Sequence, residues 1–160
     1  MRTVLAALMI IIGAVFFLPC CNTGKDMSLE IRDAHSGRVY GKWPLNGEED
    51  SAGKREFSIE FVHSVNQSPV RETFLVEGRK IRPLSVRFSS FGAGMQSDLE
   101  EGQVLSRDGD ALVITGFNMS FNELNYIVGT VSDHLLLIDN KTISLRELCG
   151  RNAQITIRVK

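Results

Sequence analysis

The feature that most constrains the fold is the residue pattern from Met27 onward, which is typical of β-strands. Short runs rich in β-branched residues alternate apolar and polar side chains at a period of two, and Gly, Asn and Asp separate these runs. Nothing from Met27 to Lys160 sustains a helical period over three turns, although SLRELCG is compatible with a single helical turn. The pattern therefore predicts an all-β fold, either a two-sheet antiparallel β-sandwich or an open barrel. The predicted strands are SLEIRD, RVYGKWPL, EFSIEFVHS, VRETFLVEG, LSVRFSS, ALVITG, HLLLID, TISL and AQITIRV.

Length and charge set the size of the domain and exclude one class of partner. The chain has 160 residues, of which 43% are apolar and 23% charged, and this suits one globular domain plus a short extension. The formal net charge of −1 offers no basic excess, so binding to nucleic acid is disfavoured. We expect a single extracytoplasmic β domain over residues 25–160.

The N-terminus indicates export from the cytoplasm. Arg2 precedes an uncharged run from Thr3 to Cys21, and the polar stretch NTGKD follows. We expect residues 1–24 to be a signal peptide or a membrane anchor. With about 18 apolar residues the run is at the lower edge of what spans a bilayer, and lipid attachment at a cysteine is the other route. The expected location is the bacterial cell envelope, on the extracytoplasmic side of the cytoplasmic membrane, either anchored or free in the periplasm.

The stretch FSIEFVHSVNQSPVRETFLVEG carries two polar groups where its pattern calls for apolar ones. The apolar face that begins at Phe57 continues to His63, and the second strand places Glu72 between apolar residues. If VNQSP closes the hairpin, His63 and Glu72 are direct or diagonal cross-strand neighbours. A buried carboxylate is costly unless it is paired. We therefore predict that Glu72 accepts a hydrogen bond from His63.

Three interpretations of this pair remain open: a structural buried pair, one end of a ligand site, or part of a catalytic or metal site. Ser64 follows His63, but adjacent strand residues point to opposite faces, so a Ser-His-acid triad is poorly supported. Three histidines without HxH or HxxxH spacing give little support for a zinc site made by the chain alone. No cofactor is indicated by any motif.

A second candidate is the glycine turn in RFSSFGAGMQSD. Gly92 and Gly94 flank Ala93, and glycine lets the backbone adopt positive φ and turn its amides toward one point. Such a turn can bind an anion, although more often it is a tight bend. It does not match the GxGxxG fingerprint of dinucleotide-binding proteins.

At these two stretches the chain resembles the family of the domain of unknown function 1850. The shared motifs are His63-Ser64-Val65, Pro69-Val70-Arg71-Glu72 and the turn from Phe91 to Met95, where Gln96 replaces the proline usual in the family. The resemblance covers roughly Leu29 to Leu145. It implies an exported or membrane-anchored bacterial protein associated with tripartite ATP-independent periplasmic (TRAP) transporters that use a TAXI-type solute-binding protein. It implies no known catalytic activity.

These observations favour a membrane-attached extracytoplasmic accessory protein of a TRAP-type solute uptake system. It would bind a small organic anion or a transporter component, either the membrane subunit or the solute-binding protein. The alternatives are a hydrolase-like enzyme using His63 and Glu72, and a purely structural interaction domain. The candidate ligand-binding residues are His63, Ser64, Glu72, Gly92, Ala93 and Gly94.

Overall fold

The computed structural model describes residues 27–45, 55–64, 67–89 and 99–160. These residues form β-strands, with one short helix near the C-terminus. The elements are β1 (Ser28–Asp33), β2 (Val39–Pro44), β3 (Arg55–Val62), β4 (Pro69–Glu77), β5 (Lys80–Phe88), β6 (Val104–Asp108), β7 (Ala111–Thr115), β8 (Glu123–Ile127), β9 (His134–Ile138), β10 (Lys141–Ser144), α1 (Leu145–Cys149) and β11 (Gln154–Val159).

Two of the sequence-based predictions fall on other parts of the chain. The predicted signal peptide or anchor at residues 1–24 and the glycine turn at Gly92, Ala93 and Gly94 lie outside the described residues. Among the residues that are described, no helix is long and apolar enough to cross a membrane.

The strands form two antiparallel sheets, as predicted for a β-sandwich. The smaller sheet has the order β2-β1-β11-β8, and the larger has the order β10-β9-β3-β4-β5-β7-β6. The two sheets are not closed into a barrel. In the larger sheet most neighbouring strands are consecutive in the sequence. In the smaller sheet β8 and β11 pair with each other, although strands of the larger sheet lie between them and before them in the sequence.

The core lies between the sheets because the inward positions of both are apolar. Ile31 on β1 and Ile157 on β11 are cross-strand partners, and both are fully buried. They belong to the same cluster as Ile59 on β3 and Leu136 on β9, which are also fully buried. Burial of one such side chain contributes about 1.5–3 kcal/mol relative to its exposure. The alternation of apolar and polar residues in the sequence thus determines which faces of the two sheets pack together.

Turn chemistry fixes two hairpins of the larger sheet. In the β9–β10 hairpin, Asp139 and Asn140 have φ of 49° and 58°. Positive φ at both central residues is typical of the two-residue turns whose twist matches that of paired strands, and Asn and Asp tolerate it. Gly109 has φ of 62° in the β6–β7 turn. Both turns lie in runs whose Gly, Asn and Asp residues are typical of hairpin loops, IDNKTI and SRDGDA.

The strand register aligns one inward residue from every strand of the larger sheet, and we call this set the cross-sheet row. Six of its members are apolar and the seventh, on the central strand β4, is a glutamate. The row consists of Ile143, Leu136, Ile59, Glu72, Val86, Ile114 and Leu105.

Candidate functional site

The glutamate of the cross-sheet row is paired with a tyrosine from the opposite sheet. The Tyr126 hydroxyl donates a hydrogen bond to Oε2 of Glu72 over 2.6 Å. Tyr126 lies on β8, which is the edge strand of the smaller sheet, so the edge of one sheet closes over the middle of the other. The bond joins residues 54 positions apart in the chain, and it supplies the partner that burial of a carboxyl group requires.

The predicted cross-strand pairing of His63 with Glu72 is wrong. Glu72 is opposite Ile59, whereas β3 ends at Val62 and the next residue, His63, is bonded through its backbone N–H to the carbonyl of Ser68 over 2.9 Å. At about 3.3 Å per residue, Glu72 and His63 are separated by about 13 Å along the strands. The error arises because the turn lies earlier in the chain than VNQSP: β4 already begins at Pro69, and the Gln67 N–H bonds back to the His63 carbonyl over 2.9 Å.

A cleft of about 320 Å³ lies beside this pair, and we call it the Glu72 cleft. Its walls come from β4, β5 and β8 and from the segment that leads into β8. Of the described residues that line it, Glu72 is the only charged one; the others are Phe74, Pro83, Ser85, Val86, Phe117, Met119, Phe121, Leu124, Asn125 and Tyr126. The cleft is thus mainly apolar and aromatic, with one carboxyl group in its wall.

Burial controls the protonation of the Glu72–Tyr126 pair. It raises the pKa of Glu72 above its usual range, against the smaller opposing effect of the hydrogen bond from Tyr126. Burial and the neighbouring carboxyl raise the pKa of Tyr126, so its hydroxyl keeps its proton and stays a donor. Within the described part of the chain, the Tyr126 bond is the one hydrogen bond that Glu72 accepts. The carboxyl group therefore keeps acceptor capacity beyond this bond.

The raised pKa of Glu72 predicts a pH-dependent loss of stability. Below the ordinary carboxyl value of 4.5 the group is protonated in both the folded and the unfolded state. As pH rises through the higher folded-state pKa, ionisation favours the unfolded state, so the free energy of unfolding falls by about 1.4 kcal/mol for each unit of pKa difference. We expect wild type to lose stability relative to Glu72→Gln between pH 4 and pH 8 in urea titrations.

The matched control for that titration is Glu56→Gln, which removes an exposed carboxylate from the adjacent strand β3. Its free energy of unfolding should run parallel to that of wild type across the same pH range. A wild-type curve that rises relative to Glu72→Gln above pH 4.5 would contradict a buried carboxyl held at a raised pKa.

His134, at the start of β9, is held in a defined orientation next to this pair. Its ring stacks on Phe61 with centroids 4.9 Å apart and meets the edge of Tyr126 at 6.1 Å. The Gly129 N–H donates to Nδ1 over 3.1 Å, so the neutral ring carries its hydrogen on Nε2. Burial lowers the pKa of His134, and this favours the neutral form. Tyr126 thus touches both the carboxyl of Glu72 and the imidazole of His134.

A second cleft, of about 380 Å³, opens next to His134, and we call it the His134 cleft. It contains the two other described candidates from the sequence, His63 and Ser64, together with the loop that precedes β9. Ser132 of this loop donates through its hydroxyl to the Val62 carbonyl over 3.0 Å. The structure therefore brings His63 and Ser64 together in one cleft and places Glu72 in the other.

Asp133 anchors the loop that shapes the His134 cleft. Its carboxylate accepts hydrogen bonds from the Ser144 hydroxyl and from the backbone N–H of Arg146 over 3.0 Å. The Ser144 oxygen in turn accepts from the Glu147 N–H over 3.0 Å and caps α1. The Arg146 guanidinium donates to the Gly129 carbonyl over 3.3 Å. One capping network thus positions both ends of the loop.

We expect Ser144→Ala to lower the free energy of unfolding by about 1 kcal/mol, because it removes an N-cap and one partner of Asp133. Thr142→Ala, an exposed substitution on the same strand, should have a smaller effect. Urea unfolding measures both, and the His134 ring signals in an NMR spectrum should shift in Ser144→Ala alone. Equal losses in the two variants would show that the cap contributes nothing.

Metal binding receives no support from the arrangement of side chains. Throughout residues 27–45, 55–64, 67–89 and 99–160, no group of three or more His, Cys, Asp or Glu side chains is placed to hold a metal ion. The polar side chains among the described residues that line the Glu72 cleft are the Glu72 carboxyl, the Tyr126 phenol, the Ser85 hydroxyl and the Asn125 amide.

The fold and this cleft define the chain as a small two-sheet β-sandwich domain with a half-buried glutamate–tyrosine pair between its sheets. It belongs to the family described as "Domain of unknown function (DUF1850)", whose model matches residues 57–145, more than half of the chain. No curated protein and no solved structure shows a significant match. The matched range runs from β3 to β10 and includes Glu72, Tyr126 and His134. The family resemblance expected from the two sequence motifs is confirmed.

Proposed function

We propose that this chain is a binding protein rather than an enzyme, and that it acts as an accessory component of a TRAP-type solute uptake system on the extracytoplasmic side of the membrane. The observation that carries the binding role is the Glu72 cleft, where a mainly apolar wall surrounds one carboxyl group. Ligand sites in proteins have this composition, with few polar groups that fix the orientation of the ligand. The uptake role and the membrane attachment rest on the N-terminal sequence and on the family resemblance.

The geometry argues against the hydrolase alternative. An acid–base pair must lie within hydrogen-bond reach of the same water or substrate atom. Glu72 is opposite Ile59, and His63 lies beyond the end of β3, about 13 Å further along the strands. The two side chains also line different clefts. They are therefore not arranged to act on one bond.

The size of the Glu72 cleft restricts what it can hold. Pockets for small molecules usually measure about 300–1,000 Å³, and at about 320 Å³ this one is at the small end of that range. We infer a ligand the size of a transported metabolite rather than a folded protein segment. Contact with a transporter subunit or a solute-binding protein would use other parts of the surface.

The test is solute uptake in the native host, with the full-length chain deleted and then restored. Uptake should fall on deletion, return with wild type and with Glu56→Gln, and fail to return with Glu72→Leu. Leucine suits this position because its neighbours in the cross-sheet row are Ile59 and Val86, so the variant should fold. The chain should also co-purify with a transporter component. Unchanged uptake after deletion, with nothing from the transporter retained, would overturn the proposal.

A further inference from the structure

The lining of the Glu72 cleft also determines the charge of the ligand that it would accept. Of the eleven described residues that line it, none is lysine, arginine or histidine, and Glu72 is a carboxylic acid. An anionic head group entering the cleft would meet the Glu72 carboxyl group and, among the described residues, no compensating cation. Removing such a charge from water without a partner is strongly unfavourable. The lining therefore disfavours the organic anion expected from the sequence.

The hydrogen bonding of the Glu72–Tyr126 pair leads to the same conclusion. The single proton of the Tyr126 hydroxyl is already donated to Oε2 of Glu72. In its ionised form the Glu72 carboxylate can only accept hydrogen bonds. Among the described residues Tyr126 is its one donor, so further lone pairs remain available to a ligand. What the pair lacks is a donor, and the strongest donor for a buried carboxylate is a cationic N–H group.

The aromatic wall suits a cation as well. Phe74, Phe117, Phe121 and Tyr126 all contribute to the cleft, and the faces of aromatic rings attract ammonium groups. Met119 and Phe121 are each 37% exposed at the rim, which leaves apolar surface for the body of a ligand. Carboxylate and rings together form the two kinds of contact that an organic ammonium ion makes.

We propose that the Glu72 cleft binds a small organic cation, with a primary ammonium group against the Glu72 carboxylate and an apolar body against the rings of Phe117 and Phe121. This proposal rests on the binding role assigned above and names the class of ligand. A bound ammonium group would also stabilise the ionised form of Glu72, so binding should become tighter as pH rises from 4 to 8.

The test uses three probes of nearly equal shape: phenethylamine, 3-phenylpropanoate and 3-phenylpropanamide. Each is titrated into the full-length chain while the Met119 methyl signal and the Tyr126 ring signals are followed by NMR. We expect phenethylamine to bind at least about tenfold more tightly than 3-phenylpropanoate, with the neutral amide between them. Glu72→Gln should remove most of the preference for the amine and leave the affinity for the amide nearly unchanged.

Two controls complete the design. Glu56→Gln removes a carboxylate outside the cleft and should bind all three probes as wild type does. Phe121→Ala shortens an exposed rim residue and should weaken all three probes to a similar extent, so it reports on the cleft even if Glu72→Gln folds poorly.

The outcomes separate this proposal from the proposed function. Tighter binding of 3-phenylpropanoate would overturn the cation proposal and leave a binding protein of the opposite charge preference. Equal affinity of wild type and Glu72→Gln for phenethylamine would also overturn the cation proposal, as would the absence of any NMR signal shift with all three probes. Neither result would contradict a dependence of solute uptake on Glu72. If the amine binds as expected but uptake is independent of the chain, the accessory role fails and the ligand assignment holds.

Discussion

Tyr126→Phe should lower the free energy of unfolding by about 1–3 kcal/mol at neutral pH, although it deletes a single oxygen atom. The hydroxyl that is lost donates to Oε2 of Glu72. Among the described residues this hydroxyl is the one hydrogen-bond donor to the Glu72 carboxyl group, whose neighbours in the cross-sheet row are all apolar. Removing it leaves the half-buried acceptor without this partner, and the penalty is larger than the net value of an average hydrogen bond. Urea unfolding measures the loss directly.

The double variant Glu72→Leu/Tyr126→Phe tests that explanation. When both partners of a buried hydrogen bond are replaced by apolar groups, the penalty for an unsatisfied atom disappears. We therefore expect the double variant to be more stable than Tyr126→Phe alone. Additive losses would mean that the two side chains are not coupled.

Tyr40→Phe is the matched control, because it deletes the same atom from another tyrosine–carboxylate pair. The Tyr40 hydroxyl donates to Asp33 over 2.9 Å. Asp33 also accepts from the backbone N–H of Ser36 over 2.7 Å and from its hydroxyl over 2.9 Å. Its carboxylate therefore stays satisfied without Tyr40, and the loss of stability should be smaller than in Tyr126→Phe.

The contrast between Glu72 and its partner shows what periodicity can and cannot reveal. A period of two assigns each residue to a face, and this correctly placed Glu72 among apolar neighbours on the inward side of β4. It also places Tyr126 on the same face of β8 as the buried Leu124. It contains no information about which inward residue of one sheet meets which residue of the other. The sequence thus predicted that Glu72 needs a partner, and the packing of the sheets selected Tyr126.

The register error at the β3–β4 hairpin has a similar physical origin. Face assignment depends on odd and even positions, so it survives when the pairing slips by an even number of residues. His63 keeps the same parity as Ile59, the true partner of Glu72, yet it lies four positions further along the chain. Loop length decides the register, and the run VNQSP did not reveal that β4 begins at Pro69.

His134 could not be identified from the sequence as part of the site. It begins the run HLLLI, where it looks like a polar residue at the entrance to a buried strand. Its role becomes visible only when β9 pairs with β3, which sets His134 opposite Phe61. The stacking of these two rings and the bond from Gly129 depend on that pairing.

The largest effect on stability is expected from Leu136→Ala. Leu136 is fully buried in the cross-sheet row, beneath the smaller sheet. Truncating a buried leucine removes its transfer free energy and leaves a cavity, which together lower the free energy of unfolding by about 2–5 kcal/mol. Because interiors are closely packed, neighbours such as Ile59 relax only partly into the space.

Leu105→Ala makes the same chemical change in the same row and is the control. Leu105 lies on the edge strand β6 and is 38% exposed, so less apolar surface returns to water and no closed cavity forms. We expect a loss below about 1 kcal/mol in urea unfolding at constant pH. A loss in Leu105→Ala close to that of Leu136→Ala would mean that another surface covers the β6 end of the row. Glu72 is the position where the cross-sheet row passes the edge strand of the smaller sheet and the Glu72 cleft begins. Comparing the losses of stability in the two variants therefore shows whether the covered core ends near this position or continues to β6.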